Sequence, residues 1–185
     1  MRSNLLLLIM LFCILGIEKS PMYWEDISDR ARQNIIKSLD RQDVLLRFYF
    51  KEMTLKDDEE MDALLKRLLI SSSNDCDLPL RFFVLNKICF EADGAVAESL
   101  SSVLAEFIYS YPDYSLAYLS RNPELEAIYV TLVATELDFK LNGLSSIPFS
   151  ADQLFDRIRA FFAPNKEYLP AFINKVQKMM ETVND

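Results

Sequence analysis

An all-α fold follows from three features of the chain. Glycine occurs three times and threonine four times in 185 residues, and leucine far outnumbers valine, a composition that favours helix over strand. Apolar residues recur at helical spacing along most of the sequence. Proline, glycine and short polar runs punctuate these segments, so the expected architecture is an irregular multi-helix bundle or a stack of helical hairpins, with about eight helices.

The first expected helix covers 24–39, where Ile27, Ala31, Ile35 and Leu39 share a face. A second covers 42–53 with Val44, Leu45, Phe48, Tyr49 and Met53, although its apolar core could also pass for a strand. A third covers 57–70. Met61, Leu64, Leu65, Leu68 and Leu69 form its stripe, Asp57, Asp58, Glu59 and Glu60 oppose the positive end of the helix dipole, and Lys66 and Arg67 lie at the other end. After the polar loop 71–77, Pro79 suits the first turn of a helix over 78–92. Leu80, Phe82, Phe83, Val84, Leu85, Ile88, Cys89 and Phe90 make that helix apolar on nearly every face, which predicts a place in the centre of the bundle.

Asp93–Gly94 breaks the helix, and Asp93 is expected to cap the next one, 95–111, with Ala97, Leu100, Leu104, Phe107, Ile108 and Tyr111 inward. A short helix is expected over 113–120. Asn122–Pro123 is a start signal for a helix over 123–141, and Asn142–Gly143 a stop. Residues 144–149 read as a linker. Ser150 is expected to cap a helix reaching Phe162, and 167–183 forms the last helix, with Leu169, Phe172, Ile173, Val176 and Met180 inward. Pro112–Tyr118 and Pro123–Tyr129 repeat one spacing, too short an echo to predict a repeat architecture.

The N-terminus sets the expected compartment. Arg2 precedes an apolar run over 5–17, shorter than the roughly 20 residues a bilayer-spanning helix needs and suited to a secretory signal. Residues 1–16 are therefore expected to be a signal peptide, cleaved after Gly16, and 17–185 a single helical domain. An uncleaved membrane anchor and lipidation at Cys13 are the alternatives; Phe12 is larger than a lipid-attachment site accepts before its cysteine. The expected location is periplasmic or extracellular.

The chain carries a net charge of −8, which disfavours nucleic acid and anionic membrane surfaces as partners and would steer in a basic protein. Membrane contact is expected only if the N-terminal segment is retained. Cys89 would lie about 15 Å along the 78–92 helix from its start, beyond disulfide reach of Cys76 unless Cys76 folds back along the helix.

Histidine is absent, which removes serine–histidine and cysteine–histidine catalysis and histidine metal sites. Two thiols downstream of the signal cannot make a four-cysteine zinc site, and Gly16, Gly94 and Gly143 form no phosphate-binding loop. No cofactor and no metal are expected. Carboxylate catalysis survives on composition, with Glu91, Asp93, Glu98, Glu136 and Asp138 as candidates for glycan hydrolysis, but charged side chains usually sit on solvated faces. The acidic block 57–62 lacks the ligand spacing and central glycine of a calcium loop.

The functional signal is aromatic. Phe107, Tyr109, Tyr111, Tyr114 and Tyr118 crowd one helix end and the following turn, and tyrosine combines contact area with a polar tip. These five are the candidate binding residues, weighed against a role in stapling the short helix to the bundle. Tyr23 and Trp24 form a second aromatic candidate, weighed against anchoring the first helix. The expected function is a non-catalytic protein-binding module; an inhibitor or immunity-type protein of an exported enzyme and a carboxylate-dependent hydrolase are the alternatives.

Overall fold

A computed structural model describes residues 22–56, 58–70, 75–92 and 94–183, and among them the chain is all-α, with no strand. The helices are α1 Asp29–Ser38, α2 Val44–Tyr49, α3 Glu59–Leu69, α4 Leu78–Glu91, α5 Gly94–Ser110, α6 Pro112–Leu119, α7 Pro123–Leu141, α8 Ala151–Arg159 and α9 Tyr168–Val183. They form an irregular multi-helix bundle. The expected signal segment 1–16 and the expected cap Asp93 lie outside the described residues.

Helix α7 is the hub. It packs against α5 and α9, while α3 lies on α5, and α4 packs against α2 and α7. Leu125, Tyr129, Val133 and Leu137 of α7 meet a core that includes Leu100, Leu104 and Phe107 of α5 and Phe172 and Val176 of α9. This hub role falls to α7 rather than to α4, whose nearly uniform apolar character predicted the central position. Helix α4 buries Leu80, Phe82, Val84, Leu85 and Ile88, yet leaves Phe83 half-buried and Phe90 57% exposed.

The helix termini follow local chemistry. Ser28 accepts a hydrogen bond from the Ala31 amide, so α1 starts at Asp29 and not at Trp24. Residues 22–27 instead form a turn that buries Tyr23, Trp24 and Ile27. Asp58 accepts from the Glu60 and Met61 amides and caps α3. Asn122 does not cap α7, because its side-chain amide donates to the Tyr118 carbonyl; Pro123 still begins the helix. Gly143 takes a positive φ of 73° behind Asn142, the left-handed conformation that ends many helices.

Ser150 and Gln153 form a reciprocal capping box at α8, which ends at Arg159, short of the expected Phe162. Ser150→Ala should cost about 1 kcal/mol, measurable as a lower urea midpoint at unchanged slope. The expected linker 144–149 is partly core, since Ile147 and Phe149 are buried.

An ionic knot joins four helices. Arg81 and Asp77 of the α4 start are both fully buried. Arg81 donates to Asp77 (3.2 Å), Asp75 (2.8 Å), the Leu68 carbonyl (3.0 Å) and the Tyr111 hydroxyl (3.2 Å). Arg67 of α3 donates to Asp77 at 2.7 Å and to Asp43 at 3.0 Å, while Asp43 also caps α2. Burial opposes the charge on Arg67, but its bonds to Asp77 and Asp43 outweigh that and raise its pKa. Fully satisfied in this way, buried charges fix the relative placement of α2, α3, α4 and the end of α5.

Candidate binding face

The five aromatic residues singled out in the sequence do not form one exposed patch. Phe107 has no exposed surface and stacks on Phe82 at 5.5 Å, so it is a core ring with nothing to offer a partner. Tyr109 is half-buried and lies flat on Phe149, with ring centroids 4.3 Å apart. Tyr111 belongs to the ionic knot, its hydroxyl donating to Asp75 at 2.8 Å.

Tyr114 and Tyr118 hold the turn 22–27. The Tyr23 ring sits 4.8 Å from each of them and 6.1 Å from Phe82. The Tyr23 hydroxyl donates to the Tyr114 carbonyl at 2.9 Å, and the Tyr114 hydroxyl donates to the Met22 carbonyl at 3.1 Å. Trp24 packs edge-on against Tyr49 of α2. Tyr23 and Trp24 are therefore buried anchors of the N-terminal turn.

These tyrosines have a consequence for alkaline stability. Burial pushes Tyr23 up to about 12, against the opposing pull of Arg121. Burial is likewise the largest cause of the raised pKa values of Tyr114, Tyr118 and Tyr129. A folded-state pKa above the unfolded value favours the neutral native form below pH 10, and that contribution is lost as pH rises through the folded value. Stability should therefore fall between about pH 10 and pH 12, and Tyr23→Phe should reduce the loss, as followed by circular dichroism and tyrosinate absorbance.

The open aromatic surface lies instead along α4. A cavity of about 550 Å³ is lined by Phe83, Asn86, Lys87 and Phe90 of α4, by Tyr118 and Arg121 around the end of α6, by 122–125, and by Glu25. A second, of about 890 Å³, lies between α4 and 48–55, lined by Phe48, Tyr49, Phe50, Met53, Leu55, Phe83, Lys87 and Glu91 among others. Phe83 and Lys87 line both cavities, so the two flank a common ridge. Phe50, 52% exposed, stands over one side and Phe90 over the other. Of the five aromatic residues expected from sequence, Tyr118 alone lines either of these cavities, and of the candidate carboxylates Glu91 lines the second.

One polar group in the first cavity is unsatisfied. Asn86 is 7% exposed; its Oδ1 accepts from the Tyr129 hydroxyl at 2.7 Å, and its Nδ2 has no hydrogen-bond partner. Leaving such a donor buried and unpaired costs about 1–3 kcal/mol. Cys89 contacts the same Tyr129 hydroxyl, and burial pushes its thiol up to about 12 despite that hydrogen bond. Cys76 and Cys89 are not bridged to each other.

The buried carboxylates lie away from these cavities. Glu136 and Asp138, expected on a solvated face, are buried because α7 is covered by neighbouring helices. Ser101 and Ser145 donate to Glu136, and Asn142 to Asp138. Burial, and then the charge of Glu136, raises the pKa of Glu106, but none of these carboxylates lines either cavity. Glu25 and Glu124 in the first cavity, and Glu91 in the second, are exposed.

Among the described residues, no cluster of three or more acidic or cysteine side chains could hold a metal ion, and no helix is long and apolar enough to cross a membrane. Comparison with known proteins finds no matching family model, no matching curated protein and no matching solved structure.

Proposed function

We propose that this protein is an exported, non-catalytic module that binds another protein through the open face of α4. The observation that carries the reading is the pair of exposed rings, Phe50 and Phe90, on either side of the Phe83–Lys87 ridge, each beside a cavity with aromatic walls. Aromatic side chains in partly enclosed pockets supply much of the contact energy at protein interfaces. Tyr118 contributes from the rim of one cavity; Tyr109, Tyr111 and Tyr114 act behind the face by fixing the elements that frame it.

The partner is a neutral or basic protein. A surface of net charge −8 attracts such a partner at long range and repels an acidic one. An inhibitor of an exported enzyme is one form this binding would take. Export rests on the N-terminal apolar run alone.

The test is comparative capture from the native envelope or culture medium, using the full-length protein and a Phe50→Ser/Phe90→Ser variant. Both changes are at exposed positions, so the variant should keep its helical circular-dichroism spectrum. A partner held by the parent and lost by the variant is the expected result. Equal retention by both, or no partner for the parent, would contradict the reading.

A further inference from the structure

We infer that the cavity between α4 and the α6–α7 junction receives an extended segment of the partner polypeptide, which seats a bulky apolar side chain among Phe83, Phe90 and Tyr118 and offers a backbone carbonyl to Asn86 Nδ2. This rests on the binding reading above and specifies what is bound. Asn86 is the second, independent observation. Its oxygen is taken by Tyr129, while its nitrogen is a donor lacking an acceptor and covered from solvent, in a residue that lines the cavity, so the incoming carbonyl bonds it by tipping the Asn86 amide toward the cavity. A backbone carbonyl is an acceptor that every polypeptide carries at each residue.

Position along the helix agrees with this. At about 100° per residue, Phe90 falls about 20° from Phe83 around α4, and Asn86 about 60° away on that same side. Lys87 and Glu91 fall on the other side, toward the second cavity. A ligand seated against Phe90 is therefore on the Asn86 side of the ridge. Phe83 and Phe90 are about 10 Å apart along the axis, a span that three residues of extended chain cover.

Charge selects among occupants. Lys87 and Arg121 on the cavity wall are matched by Glu25 and Glu124, so the site favours a neutral segment over an isolated anion or cation. A second copy of this chain would bring another net −8 to the interface, which like-charge repulsion opposes. A neutral apolar stretch of a neutral or basic protein meets both conditions.

The experiment is selection of a display library of random linear heptapeptides on the full-length protein, followed by titration of the most enriched peptide. Enriched peptides should share an aromatic or long aliphatic residue. The Asn86 side-chain NH₂ signal in nitrogen-15 NMR should move on saturation, and Phe90→Ala should weaken binding about tenfold with an unchanged circular-dichroism spectrum. Equal binding to Phe90→Ala, or an unmoved Asn86 signal, would overturn the inference.

Absence of enrichment, while partner capture still depends on Phe50 and Phe90, would overturn the peptide mode and leave the binding reading standing. Failure of both experiments would remove both. Concentration-dependent dimerisation abolished by Phe90→Ala would replace the partner segment with a second copy, and so overturn the inference.

Discussion

Arg81→Met should destabilise the protein by about 3 kcal/mol or more, because removing one member of a buried ion network leaves charge uncompensated. Arg81 and Asp77 have no exposed side-chain surface, and Arg81 also serves Asp75, the Leu68 carbonyl and Tyr111. Its loss would strip donors from groups on three sides at once. In a domain of this size the melting temperature should drop by roughly 6–12 °C. The exposed Arg159–Asp156 pair is the control: Arg159→Ala should change stability by less than about 1 kcal/mol, because solvent screens the pair and its geometry is easily lost. Differential scanning calorimetry of both variants separates a buried network from a surface contact. Equal effects would contradict the view that the knot fixes the placement of α2, α3 and α4.

Phe82→Ala should cost about 3–5 kcal/mol, the range for emptying a buried aromatic site. The Phe82 ring, 2% exposed, stacks on Phe107 and meets the edges of Tyr114 and Tyr118 at 5.2 and 5.1 Å. It also backs Tyr23, which holds the turn 22–27. The change should therefore speed amide exchange at Asp26 and Ile27, whose N–H groups bond the Tyr23 carbonyl, beyond the global loss of stability. Hydrogen exchange by NMR checks this. Uniform loss across the chain, with no excess at Asp26 and Ile27, would mean that Phe82 does not couple the turn to the core.

Much of the helical architecture was legible because local chemistry writes it into the sequence. Pro123 at the α7 start, Asn142–Gly143 at its end and Ser150 before α8 each mark a helix boundary through φ preference or an orphan backbone group. Local signals fail where distant residues decide. The burial of Arg81 depends on the Leu68 carbonyl, Tyr111 and the Arg67-held Asp77, which only the packed helices bring together around it. The aromatic crowd from Phe107 to Tyr118 was visible, but its partners Tyr23 and Phe82 lie far away in sequence and turn it inward.

The open face of α4 was hidden for a related reason. A helix apolar all round gives no periodic contrast, so its sequence does not say which side the bundle leaves uncovered. Asn86 and Lys87, adjacent polar residues inside that apolar run, were the available signal. Both turn out to line the cavity beside Phe90.

Chemical-shift mapping of the full-length protein bound to its captured partner tests the central claim most directly. Binding at the α4 face predicts shifts concentrated at Phe50, Phe83, Asn86, Lys87, Phe90 and Tyr118. Shifts concentrated instead around the exposed Leu141 and Leu144, at the C-terminal end of α7, would contradict it.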